Sequence, residues 1–390
     1  MRRTRYICAV LLLVLLIVEI RAEESGISDE RILFGQSAAF SGPAQELGKD
    51  MRIGIEAAFQ EANARGGVHG RQLTLLSLDD AYEPEAAIAN TRRLIEQEGV
   101  FALIGAVGTP TSLSATPVAA AADVPYIAPF TGAAFLREAR WQNVINLRAS
   151  YNQETEAMVA RLTTDLGIKR IAVMYQDDSF GRAGYRGVRQ ALERRSMAPV
   201  AIGVYQRNTT AVKTGLLNLH SANPDAVILI GAYRPVATLI AWARHIGLDP
   251  VFMTISFVGS NALARELGRG GAGVFVTQVV PFPTDNTLPV GLAYRRALTA
   301  HAPEATPGFV SYEGYLAGRL AIAALERCGR EVDRVGFLKN LRGTDTIDLD
   351  GFELRYGAND NQGSDAVFLT VIGSDGSYRS IDSLRDAINP

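Results

Sequence analysis

The sequence predicts an α/β protein made of two doubly wound parallel-sheet lobes. Three observations lead there. Strand-type and helix-type apolar patterns alternate along nearly the whole chain, the order expected of a parallel sheet with helices on both faces. About nine such β-α units would overfill one twisted sheet, so the chain divides into two. The 390 residues, 47% hydrophobic and 21% charged, supply enough apolar surface for two cores and exclude disorder, collagen and coiled coil.

The elements follow in order. Arg31–Gln36 is a short apolar run leading into Ser41-Gly42-Pro43, and reads as a first strand. Leu47–Ala64 carries apolar residues at 47, 51, 55, 58 and 59, a helical spacing, and Gly66-Gly67 stops it. Leu73–Leu78 is a strand and Pro84–Gln97 a helix with proline suited to its first turn. Val100–Ile104, Thr111–Ala122 and Tyr126–Ala128 read as strand, helix and strand.

After an irregular segment the alternation restarts. Helices are predicted over Glu154–Leu166, Gly184–Arg195, Val212–Ser221 and Pro235–Ile246. Strands are predicted over Arg170–Tyr175, Val200–Tyr205, Ala226–Ile230, Val251–Thr254 and Gly273–Val280. The chain is expected to cross between lobes near 144–151, 276–283 and 349–356. That gives a first lobe of residues 23–148 plus 279–351 and a second of 149–278 plus 352–390. Ligands of such sheets sit at the carboxyl ends of the strands, where loops enter helix N-termini, so two facing lobes make a cleft.

Residues 1–22 stand apart. Arg2, Arg3 and Arg5 precede a 12-residue apolar run, Ile7–Val18, and Ala22 is a small residue before Glu23 and Glu24. This is the pattern of a secretory signal, and the run is short of the roughly 20 residues of a spanning helix. Ile20 is a poor residue at the −3 position, so an uncleaved anchor is the alternative. Without residues 1–22 the balance is 35 basic against 40 acidic side chains, or −5. No basic excess is available to track nucleic acid. Cys328 is then the only cysteine, is expected to be a buried helix residue, and cannot form an internal disulfide.

Several motifs fail on context. Gly268, Gly270 and Gly273 have dinucleotide-fingerprint spacing but follow a helical stretch and enter a strand, the reverse of what a phosphate cradle needs. Gly42–Lys49 departs from P-loop spacing, with Asp50 in place of the required hydroxyl residue. Asp345, Asp348 and Asp350 miss calcium-loop spacing and read as a turn. His69, His220, His245 and His301 are scattered, and neither a metal nor a cofactor is implied.

An ordered succession of segments carries a resemblance. Phe34–Gly48, Ala62–Gly70, Asp79-Asp80, Ile104–Thr111, Pro125–Leu136, Arg170–Gly184, Gly231–Pro235 and Thr254–Gly259 resemble type I periplasmic solute-binding proteins. The branch is the leucine/isoleucine/valine-binding group that serves ABC importers. The resemblance implies two lobes joined by a three-crossover hinge and closed on a ligand. It implies that the Thr109 hydroxyl and the backbone of Phe130, Thr131 and Gly132 hold a ligand carboxylate. The physics agrees, because each group lies just past a strand, where a helix start presents unpaired N–H donors. The family's cleft tyrosines match Phe180 and Tyr233, and its first-lobe aromatic matches Leu47.

Two departures bear on the ligand. The family's ammonium-binding Glu is Ser256 here, or Phe257 if the alignment shifts by one, and a Thr that also bonds the ammonium is Gly132. An unpaired buried ammonium is costly. The ligand is therefore expected to be a small carboxylate, either branched-chain amino-acid-like, with Asp177, Asp178 or Glu313 supplying the missing charge, or a deaminated or aromatic acid with an apolar body and no amine. Phe130, Phe180, Tyr233, Phe257 and Phe282 are expected to line the cleft. The implied partner is a membrane permease and the implied state a monomer. A sensory partner of a membrane receptor is the alternative. An enzyme is a remote one, since only Asp177 and Asp178 are adjacent carboxylates near the site.

Overall fold

A computed structural model describes residues 24–343 and 346–388 of the chain. The signal-like segment 1–22, Cys8 and Asp345 lie outside the described residues. The first sheet takes β1 (Arg31–Ala38), β2 (Gln72–Asp79), β3 (Ala102–Ile104), β4 (Tyr126–Ile127) and β5 (Val144–Ile145) in the order β2-β1-β3-β4-β5. All its pairings are parallel. The connecting helices are α1 (Gln45–Asn63), α2 (Pro84–Arg92) and α3 (Thr109–Ala121). α2 runs on into a wider π-type turn, Arg93–Gln97.

α4 (Tyr151–Asp165) opens the second layer, followed by β6 (Ile171–Gln176), α5 (Ser179–Glu193), β7 (Ile202–Tyr205) and α6 (Lys213–Ala222). β8 (Ala226–Ile230), α7 (Tyr233–His245), β9 (Val251–Thr254), α8 (Ser260–Leu267) and β10 (Phe275–Gln278) continue it. The chain then returns to the first lobe with α9 (Pro289–His301), α10 (Phe309–Cys328) and α11 (Arg334–Leu341). A two-stranded ribbon follows, β11 (Ile347–Asp348) against β12 (Glu353–Leu354). Last come β13 (Phe368–Ile372) and β14 (Tyr378–Ile381), which close the second sheet in the order β14-β13-β10-β9-β8-β6-β7. β13 is antiparallel to both β10 and β14, and the remaining pairings in that sheet are parallel.

The chain thus passes between the sheets three times, over 146–150, 279–288 and 355–367. The third passage comes after the span suggested by sequence because Glu353–Leu354 first folds back on Ile347–Asp348. Several helices also start earlier than their apolar periodicity. α4 starts at Tyr151 because Ser150 and Gln153 form a capping box, each side chain satisfying the other's backbone. α5 starts at Ser179 because the Asp178 carboxylate accepts the amides of Phe180 at 2.9 Å and Gly181 at 3.2 Å.

α10 was not read from the sequence as an element of its own. It is buried along most of its length against α1. The two backbones approach so closely that a Cβ on Gly54 would lie 2.0 Å from the Ser311 carbonyl oxygen, and one on Gly314 2.3 Å from that of Met51. Cys328 is the last residue of α10 and half-buried rather than core, with Sγ accepting from Asn340 Nδ2 at 3.2 Å. Gly268–Gly271 is a 3₁₀ turn between α8 and β10, as its reversed context implied. Among the described residues no helix is long and apolar enough to cross a membrane, and no cluster of side chains is arranged to hold a metal.

Candidate functional site

The strand orders locate the site. In each sheet the connection direction reverses at one point: between β1 and β3 in the first, between β6 and β8 in the second. Crevices at the carboxyl ends of strands at such switch points are where open α/β sheets take ligands. Thr109 follows β3, Phe180 follows β6 and Tyr233 follows β8, so each lies at the carboxyl end of a strand beside a switch point.

On the first wall the loops after β3 and β4 are laced together. The Phe130 amide donates to the Ala106 carbonyl at 2.7 Å, and the Gly108 amide to the Phe130 carbonyl at 3.2 Å. Phe130 therefore brings its ring to the cleft, its N–H being already engaged. Thr109 opens α3, and its hydroxyl lies 2.7 Å from that of Thr131, which donates to the Tyr151 hydroxyl at 3.2 Å. This chain of three hydroxyls sits at a helix N-terminus, whose first-turn amides favour an anion. Gly132 is sterically required, since a Cβ there would come within 2.6 Å of the Tyr151 ring and 2.7 Å of its backbone nitrogen.

Tyr82 completes this wall and was missed by the sequence reading. It sits in a strained turn, with φ of +48° at Ala81 and +64° at Tyr82. Asp79 and Asp80 hold the turn by accepting the amides of Ala81 and Tyr82, each at 2.9 Å. The Tyr82 ring covers Gly108 and lies 6.2 Å from the Phe257 ring.

The second wall brings Phe180, Tyr233, Ser256 and Phe257. Phe257 is fully buried in the 3₁₀ turn after β9. Its ring stacks on Phe130 at 5.3 Å and touches Phe180 at 4.4 Å, while Phe180 lies 5.6 Å from Tyr151. Rings from both lobes thus close into one apolar cluster. Leu47 reaches across from α1 to pack on Gly259, and Tyr233 floors a groove of about 420 Å³ that Glu46, Arg234 and Arg265 help to line. Phe282 does not join the cluster. It lies on the second passage between lobes, 5.5 Å from Phe309, in a separate groove of about 360 Å³.

Behind Ser256 lies a buried ionic group. Arg148, from the first passage, is 0% exposed. It pairs with Glu154 at 3.1 Å and Glu313 at 3.5 Å, and also donates to the Ser256 hydroxyl. Its guanidinium carbon stands 5.0 Å from the Phe130 ring centre and 6.0 Å from that of Tyr151. Burial works against its charge, but Glu313 and Glu154 more than offset this and raise its pKa. Burial pushes Glu313 up to about 7, with Arg148 pulling the other way. A lone arginine inside the run Val144–Ala149 was the available signal for this group.

The adjacent carboxylates Asp177 and Asp178 have separate tasks. Asp177 is exposed and pairs with Arg182 at 2.6 Å. Asp178 caps α5, accepts from Gln176 at 2.6 Å, and has its pKa raised by burial. At the cleft mouth the lobes are bridged by Arg207–Glu83 at 2.6 Å, Asn208–Glu83 at 2.7 Å and Arg265–Glu46 at 2.9 Å.

Comparison with known proteins agrees with this architecture. The family model described as periplasmic binding protein matches residues 32–377. A crystal structure of a possible leucine/isoleucine/valine-binding protein from Rhodopirellula baltica SH 1 superposes with a TM-score of 0.88 at 39% identity, covering 94% of this chain and all of the other. The Leu/Ile/Val-binding protein of Escherichia coli K12 is 22% identical over 325 residues, 81% of this chain and 87% of its own length. Leu/Ile/Val-binding protein homolog 7 of Brucella abortus strain 2308 is 28% identical over 227 residues, 56% of this chain and only 57% of that relative. The chain belongs to the periplasmic binding protein family, in its type I, leucine/isoleucine/valine-binding branch.

Proposed function

We propose that this protein is the extracytoplasmic receptor of an ABC importer and closes on a small carboxylate with an apolar or aromatic body. One observation carries the ligand class. The cleft pairs the hydroxyls of Thr109, at the start of α3, and Thr131, in the loop after β4, with a wall of aromatic rings, while Ser256 or Phe257, neither of them a carboxylate, matches the family's ammonium-binding Glu. The first wall supplies donors for an anion and the second supplies apolar area.

Closure is a hinge motion of two lobes about the three passages, 146–150, 279–288 and 355–367. Ligand contacts made by both walls favour the closed form. Docking on a membrane permease then uses the helix surfaces flanking the cleft mouth. Export through residues 1–22 brings the protein to the periplasm, and it acts as a monomer without a cofactor. The engaged state of Asp177 and Asp178 supports binding without catalysis.

A thermal-shift screen followed by calorimetry tests this reading. Each α-amino acid is paired with its deaminated acid, and aromatic acids are added. At 100 times its dissociation constant a ligand adds about 2.7 kcal/mol to stability. Stabilisation by acids over amino acids supports the ligand class. Stabilisation by amino acids over their acids overturns it, and conversion of the ligand during incubation overturns the binding-only reading.

A further inference from the structure

Glu154 is buried against Ser256. Its carboxylate accepts the Ser256 amide at 2.8 Å, the Ser256 hydroxyl at 3.0 Å, the Thr277 hydroxyl at 2.7 Å and Arg148 Nη2 at 3.1 Å. Oε1 takes Arg148 and the Ser256 hydroxyl, while Oε2 takes the Ser256 amide and Thr277. A carboxylate has about four acceptor sites, so Glu154 has none left for a ligand ammonium. Arg148 is the converse case. Nη1 and Nη2 are engaged, but Nε is buried with no hydrogen-bond partner among the described residues. Next to the Phe130 ring the protein therefore holds its own cation with its Nε donor to spare, on a carboxylate with no acceptor to spare.

We infer that Arg148 sets ligand specificity by occupying, on Glu154, the place a ligand ammonium would take. The guanidinium excludes α-amino acids by occupying the anionic partner and by like-charge repulsion, and it presents Nε to a ligand oxygen. The inference rests on the reading of the cleft as a carboxylate site and adds the reason why the amine is refused.

The test exchanges the internal cation for neutral side chains. Wild type, Arg148→Met and Arg148→Gln are titrated by calorimetry with L-leucine, 4-methylpentanoate, L-phenylalanine and 3-phenylpropanoate. Near-UV circular dichroism and melting confirm folding. With Glu154 freed, the ratio of amino-acid to acid affinity is expected to rise by about tenfold or more in at least one pair. Arg148→Lys, which keeps a cation, is expected to leave the ratio as in wild type. A merely structural role for Arg148 would weaken all four probes alike and leave the ratio unchanged.

A folded neutral variant whose ratio does not rise overturns the inference, even where wild type binds the acids and the ligand-class reading stands. If neither neutral variant folds, wild type decides. Preference for an acid over its amino acid supports the inference, whereas amino-acid binding as tight as that of the acid overturns it. A failed screen with wild type, joined to a gain of amino-acid binding in Arg148→Met, supports the inference and removes the ligand-class reading alone.

Discussion

The Glu154 carboxylate accepts both the amide and the hydroxyl of Ser256, at 2.8 and 3.0 Å, although 102 residues separate them. Both are buried, and the same carboxylate holds Arg148 at 3.1 Å. The start of α4, the turn after β9 and the first passage between lobes are thereby tied at one point. Glu154→Gln removes the charge and keeps the shape, leaving Arg148 with only the longer pairing to Glu313. Breaking a buried pair from one side costs ~3–5 kcal/mol. Urea unfolding is expected to show a loss of that order, larger than for removal of any exposed pair.

Glu313 makes stability depend on pH. Its folded-state pKa is raised from 4.5 to about 7. A raised carboxyl binds its proton more readily in the folded state, so its destabilising effect is absent below pH 4.5, grows as pH rises and is complete above about 7. Asp50 and Asp80, each pushed up to about 6 by burial, act in the same direction. Wild type is therefore expected to melt higher at pH 5.5 than at pH 8. In Glu313→Gln the part of this slope between about pH 6 and 7, above the range of Asp50 and Asp80, should flatten, and an unchanged slope would remove Glu313 as its source.

Thr109→Val keeps the shape of the first wall and removes its hydroxyl. It also leaves the buried Thr131 hydroxyl without its 2.7 Å partner. Loss of a hydrogen bond to a charged group costs ~1.5–3 kcal/mol. The affinity for the acid that scores best in the screen is expected to fall by about tenfold or more by calorimetry. Stability should change by much less than in Glu154→Gln.

Arg207 and Glu83 bridge the lobes at 2.6 Å with both side chains partly in water. Exposed pairs contribute ~0–1 kcal/mol and are screened by salt. Arg207→Ala is expected to weaken ligand binding by no more than about fivefold. Small-angle scattering without ligand should show the population shifted toward the open form, and the difference from wild type should shrink at high salt.

Gly132→Ala tests whether the cleft could have kept a larger residue there. A Cβ would lie 2.7 Å from the Tyr151 backbone nitrogen, which cannot move without disturbing the start of α4. Overpacking of this kind costs ~1–3 kcal/mol. The melting temperature should fall, and Tyr151→Ala should not rescue it fully, because the backbone contact remains.

Much of the fold was legible because it rests on local patterns. Runs such as Ala226–Ile230 and Val251–Thr254 match their strands end to end. Helix starts were less so. The caps that set them, Ser150 with Gln153 and Asp178 with Phe180, are polar and lie outside the apolar periodicity. α10 escaped as an element because it is buried on nearly all sides, which leaves no alternation to read.

The candidate site divides along the same line. Thr109, Phe130, Phe180 and Ser256 lie just past strand ends, but it was the family resemblance that singled them out, since periodicity alone reads Phe180 as core. Phe282 resembled them in sequence position but packs on Phe309 instead, since the turn after β10 leads away along the second passage. Arg148, Glu154 and Tyr82 carried no motif.

By itself the chain's residue order determined the class of fold, two parallel-dominated sheets with helices between their strands. Those follow from periodicity and from the alternation of strands and helices, which are properties of neighbours in sequence. Only the tertiary structure decided that the cleft holds an internal cation and a saturated carboxylate. Arg148, Ser256 and Glu313 are joined by hydrogen bonds and charge across more than 100 residues, and such pairings leave no periodic trace in the chain.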